Sequence, residues 1–223
     1  MTEGHASRGR RVTVVLAVLV LVAAGALVVQ ALLPGKPGTN GPEAGFARDM
    51  SVHHAQAVRM SFLVRDGTDD ERVRLLAYDV INTQSAQIGM MTAWLDEWEL
   101  PKADPAGPMR WMQGHAGHGT GTASPGSAGG PGSTGTTGGT GGMPGMATRE
   151  QLDELAKSSG RDAEVRFLRL MIAHHQGGLH MAEAVLARTD HPRVRRLART
   201  MVGGQRSEIN LMTGMLRERG IGT

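Results

Sequence analysis

Sliding the chain along itself by 121 residues, with no gap, lays residues 43–97 on 164–218 with 21 identities in 55 positions. Glu43, Phe46, Met50, His53, His54 and Met60 fall on Glu164, Phe167, Met171, His174, His175 and Met181. Further along, Thr68, Asp69, Gln84, Ile88, Met91 and Leu95 fall on Thr189, Asp190, Gln205, Ile209, Met212 and Leu216. A repeat of this kind restricts the fold more than composition does, because both copies must adopt the same local structure. In each copy apolar residues recur at three- and four-residue steps, the period of an amphipathic helix. The pattern breaks near Gly67 in one copy and at Thr189–Pro192 in the other, so each reads as an αα-hairpin. "TDDE" from Thr68 reads as a capping box, and Pro192 suits the first turn of a helix. One hairpin cannot cover its own apolar stripe. The expected fold is therefore all-α, with two duplicated hairpins packed into a four-helix bundle.

The segments around the copies set the organisation. "RGRR" (Arg8–Arg11) precedes an apolar run, Val12–Leu33, interrupted only by Thr13, Gly25 and Gln30. Its 22 residues suffice to cross a hydrocarbon core of roughly 30 Å. The cationic flank should stay in the cytoplasm, which puts the rest of the chain outside. "AGA" (Ala24–Ala26) fits a signal-peptidase site, so residues 1–33 are either a membrane anchor or a cleaved signal peptide. Residues 34–42 form a Gly/Pro tether and 43–100 the first hairpin. Residues 101–147 are rich in Gly, Ser, Thr and Pro and read as a flexible linker. Residues 148–223 hold the second hairpin, opened by the capping-box pattern "TREQ" and closed by Gly220. The chain has no cysteine, which excludes disulfides, thiolate metal sites and a thioether-linked lipid. With a net charge of +3 and scattered arginines, it carries no basic stripe suited to nucleic acid.

The chemistry lies on the first helix of each copy. Phe167, Met171, His174, Gly178, Met181 and Val185 fall on one stripe of a 100° wheel, as do Phe46, Met50, His53, Ala57, Met60 and Val64. His54 and His175 lie 100° further round. Met91 and Met212, with Gln84 and Gln205, come inward from the second helices, and Gln87 and Glu208 follow one turn on. Thioether and neutral imidazole, without thiolate and with almost no carboxylate, favour a soft ion such as Cu(I) or Ag(I). The same residues also suit an ordinary core, because methionine fills gaps and a buried histidine is commonly only hydrogen-bonded. Gly177–Gly178 and Gly203–Gly204 are expected either to permit close backbone approach or to be tolerated replacements. In the linker, Met109, Met112, His115 and His118 recur at every third residue, and Met143 and Met146 follow. Such tracts either collect soft metals or reflect low-complexity drift. His5, His180 and His191 fall off the stripe and receive no role.

"FARDMSVHH" and "FLRLMIAHHQGGLHMA", each followed about thirty residues later by Q-x2-(E/Q)-I-x2-M, resemble the bacterial family called domain of unknown function 305. The resemblance covers both halves. It implies a ferritin-like four-helix fold and, for some members, copper binding and copper tolerance outside the cytoplasm. By position it implies Met50, His53, His54, Met60 and Met91 as metal residues in the first half. In the second it implies Met171, His174, His175, Met181, Glu208 and Met212. Gln87 stands where the family has glutamate, so either the two sites differ in affinity or Gln87 only keeps a hydrogen bond.

Three functions compete on this reading. The first is an extracytoplasmic protein that binds Cu(I) for sequestration, tolerance or transfer, the last compatible with a copper-handling partner protein. The second is a metal-free helical interaction module tethered to the membrane. The third is a di-metal oxidase, for which the carboxylates are too few.

Overall fold

The computed structural model describes residues 35–112 and 142–222, together with Val18, Leu21 and Val22. Pro37–Thr223 form one compact unit. The expected anchor or signal segment lies almost wholly outside the described residues, as do His115, His118 and the middle of the expected linker. Among the described residues, no helix is long and apolar enough to cross a membrane, and regular structure is helical throughout. The helices are α1 (Pro42–Gly67), α2 (Glu71–Glu97), α3 (Arg149–Lys157), α4 (Gly160–Leu186) and α5 (Pro192–Glu218).

α1 packs along α2, α4 packs along α5, and the two hairpins meet through α1 and α4. The bounds of α2 and α5 differ by 121 residues at both ends (71 to 192, 97 to 218). Contacts between the hairpins are reciprocal at the same offset. Thr68 Oγ1 donates to Glu164 at 2.7 Å, and its counterpart Thr189 donates to Glu43. Arg72 pairs with Glu218 at 2.5 Å, and Arg193 with Glu97 at 2.6 Å. The two ends differ in one respect. Arg219 reaches Asp70 and Glu164, each at 2.8 Å. At the other end Trp98 stands in the place of Arg219, its ring centroid 5.4 Å from His191, which stands in the place of Asp70.

Local expectations hold in part. Thr148 and Gln151 close a reciprocal capping box, and Pro192 opens α5. The box expected at Thr68 is displaced by two residues. Asp70 caps α2 instead, accepting from Val73 N at 2.9 Å. The Thr68 hydroxyl donates to Glu164 of the other hairpin and accepts from Asp70 N at 3.0 Å. The second half also carries an extra helix, α3, which ends at Lys157 before α4 begins.

The stretch 101–147 departs from the expectation of a linker at both ends. Met109, Trp111 and Met143 are buried, and Met112 and Met146 pack against the same core. α1 holds both ends. Asp49 accepts from Met109 N and from Trp111 Nε1, each at 2.8 Å, and burial raises its pKa. Arg48 donates to Pro101 O at 2.6 Å. Gly45 makes room for the indole: a Cβ there would lie 2.3 Å from Trp111 Cδ1. Three aromatic or thioether side chains with backbone partners are enough to order a segment that its Gly/Pro content alone would leave loose.

Candidate metal centre

Every member of the two expected stripes is buried. The crossing of α1 over α4 brings counterparts together: the His53 and His174 rings lie 3.8 Å apart between centroids, inclined by 34°. His54 and His175 flank them, with centroids 6.4 Å from His53 and 6.3 Å from His174 respectively. The four imidazoles are at most 1 % exposed.

Three of the rings have a partner at Nε2, and the fourth, His174, hydrogen-bonds the His53 backbone. His53 Nε2 donates to Pro144 O at 3.1 Å. His175 Nε2 lies 2.5 Å from Glu208 Oε2. His54 Nε2 lies 2.6 Å from Gln87 Oε1. A carbonyl or carboxylate oxygen accepts, so in the neutral ring the proton sits on Nε2 and the lone pair on Nδ1. Those three Nδ1 atoms are buried without a partner, as are His174 Nε2, Gln84 Oε1 and Gln205 Oε1. Apart from His174 Nε2, these are lone pairs aimed into the interior with no proton to meet them. Burial favours the neutral form of His53, His54 and His174. It lowers His53 to about 4 and His54 to about 3, and pushes His174 well below its usual value.

The methionines of one copy fall in different apolar clusters. Met50 and Met60 are ten residues apart on one straight helix, which is about 15 Å of rise. Met50, Met91 and Met181 share one apolar cluster, and Met60, Met171 and Met212 the other. Of these six methionines, each cluster takes two from one hairpin and one from its neighbour, with the histidines between. All six are 0 % exposed. Glu208 is the most open of the expected site residues, its side chain 25 % exposed. Among the described residues no three His, Asp or Glu side chains are grouped to hold a metal ion.

The glycines divide. A Cβ on Gly177 would lie 2.0 Å from Pro144 O, and one on Gly178 would lie 2.5 Å from Gln205 Oε1. Both therefore make room for a neighbour. Gly203 and Gly204 face open space and permit no close approach. Gln56, Pro144 and Gly145 contribute to the centre although their sequence pattern did not mark them. The available signal was a glutamine on the inward side of α1, opposite a glycine in the second copy.

The model of the domain of unknown function 305 matches residues 43–216. A Streptomyces coelicolor protein of this family, assigned to secretion, is 47 % identical with a TM-score of 0.68, over 82 % of this chain and 97 % of its own. A Deinococcus radiodurans fragment of the family is 30 % identical with a TM-score of 0.60, over 83 % and 99 %. CopM in its Cu(I)-bound form shares the fold, at 21 % identity and a TM-score of 0.56, over 79 % and 96 %. No curated protein matches the chain. By the family match and these relatives, the chain belongs to the domain of unknown function 305 family.

Proposed function

We propose that the protein binds Cu(I) outside the cytoplasm, for sequestration, tolerance or transfer, in a ferritin-like bundle of two duplicated hairpins. The observation that carries this is the set of buried lone pairs. Unpaired buried polar groups are costly and call for an explanation, and a cation accepts several at once. The donor set selects the ion: thioether and neutral imidazole suit Cu(I), whereas the di-iron alternative needs carboxylates. Neither donor loses a proton on binding, so capture does not oppose mild acid. Copper is the cargo. The candidate groups are Met50, His54, Met91 and Met181 on one side and Met60, Met171, His175 and Met212 on the other. His53 and His174 lie between them, and Gln87 and Glu208 orient the flanking rings. CopM, solved with Cu(I) and with silver bound, supports the reading through its fold.

The test is a Cu(I) titration of residues 37–223 under reducing conditions against a competing chelator, with Fe(II) and Mn(II) as controls. Tight Cu(I) binding and weak binding of the other two are expected. Preference for Fe(II), or no binding, refutes the proposal. For location, a reporter active only in the cytoplasm and fused after Thr223 should stay silent.

A further inference from the structure

Gln56 and Gly177 occupy the same position of the two copies, 121 residues apart. They meet one segment, Met143–Ala147, at two points. At the first, the segment crosses α4 so closely that a Cβ on Gly177 would lie 2.0 Å from Pro144 O and 2.9 Å from Gly145 N. Gly145 itself has φ +77°, and a Cβ on it would lie 2.3 Å from Ala173 O. Both residues have to be glycine for the crossing to exist. At the second point, Gln56 donates to Ala147 O at 2.9 Å and accepts from Ala147 N at 2.7 Å. The Pro144 carbonyl, at the first of these points, receives His53 Nε2. The same register position thus grips the segment in one copy and lets it pass in the other. His174, the counterpart of His53, has no such partner at Nε2.

We propose that the Met143–Ala147 strap is a positioning element of the metal centre. Its Pro144 carbonyl fixes His53 with Nε2 protonated and Nδ1 bare, and so makes His53, rather than His174, the central ligand. The strap does for His53 what Gln87 and Glu208 do for His54 and His175. Hydrogen bonds of this kind set the tautomer and ring orientation of a ligating histidine, and losing one typically weakens metal affinity by about 10- to 100-fold. Pro144, Gly177 and Gln56 are positioning residues, acting through His53. The proposal rests on the Cu(I) reading above.

The experiment uses the full-length protein and two variants, Gly177→Ala and Gln56→Leu. Alanine is the better helix former, so a loss at position 177 runs against local propensity. Histidine ring nitrogen shifts in the metal-free protein report the tautomer, and chelator competition reports Cu(I) affinity. Expected are a single Nε2-protonated His53 in the wild type and a mixed tautomer in either variant. Cu(I) affinity should fall by about 10-fold or more, with no further fall when either change is added to His53→Ala. His53→Ala should also weaken binding more than His174→Ala. Unchanged tautomer, unchanged affinity, or an equal loss in the His53→Ala background overturns the proposal while leaving the copper reading intact. A wild type that binds no Cu(I) refutes the copper reading, and this proposal with it.

Discussion

Burial sets the protonation of the central histidines, and protonation sets what they can do. His53 and His54 keep neutral rings down to about pH 4 and about pH 3, whereas in the unfolded chain they protonate near about 6.5. Between those values the unfolded state binds more protons than the native state. Stability of the metal-free protein is therefore full above about pH 6.5 and is lost as pH falls through the window to about 4 for His53 and about 3 for His54. The slope is up to about 1.4 kcal/mol per pH unit for each such histidine. Urea midpoints at about pH 7, 6 and 5 measure this, and a midpoint that does not fall contradicts neutral burial. A second residue-scale difference is Gln87 against Glu208, each on a flanking histidine. A carboxylate raises the basicity of the ring it orients. Glu208→Gln should weaken the tighter Cu(I) site by about 10-fold and bring the two sites together in a competition titration. Two sites that stay as far apart as before would show that Glu208 has no part in the difference.

At the scale of helices, the two hairpins are alike where they face each other and unlike where the connecting chain lies. α1 carries Gly45, Asp49 and Gln56 to hold both ends of that chain, where α4 has Arg166, Leu170 and Gly177. The turns differ as well. Asp70 caps α2 and also receives Arg219. Asp70→Ala should lower stability by about 1 kcal/mol through the lost cap alone. Asp70→Asn keeps a capping oxygen and should lose less. Urea denaturation of the two variants separates cap from ion pair, and equal losses would assign the effect to Arg219.

For the whole molecule, the ordered ends of 101–147 decide what can be cut. Removing 119–135 leaves the packed ends in place, and twelve residues remain between Met112 and Gly142 to span up to about 40 Å. The urea midpoint and the tightest Cu(I) site should be unchanged. Removing 109–146 deletes Met109, Trp111 and Met143 from the core, together with the carbonyl on His53. Loss of such side chains costs about 3–5 kcal/mol each for the largest, so this variant should unfold at lower urea. Equal behaviour of the two deletions would show that the packed ends carry no stability.

What the sequence by itself determined follows from local periodicity. The hairpin register, the buried stripes and the inward histidine and methionine positions depend on 3.6-residue spacing, which neighbours in sequence specify. The Thr148 box and the Pro192 start are likewise local. Tertiary structure decided whatever depends on which elements cross. The approach of the His53 and His174 rings requires the crossing of α1 and α4. The sorting of Met50 with Met181, and of Met60 with Met171, comes from two hairpins meeting head to tail. The Thr68 hydroxyl donates to a partner 96 residues away. The strap was invisible because Gly and Pro mark a loose segment by composition, while the glycine that accepts it lies on another helix. Non-local partners have no period in the sequence, and only the packed chain shows where they meet.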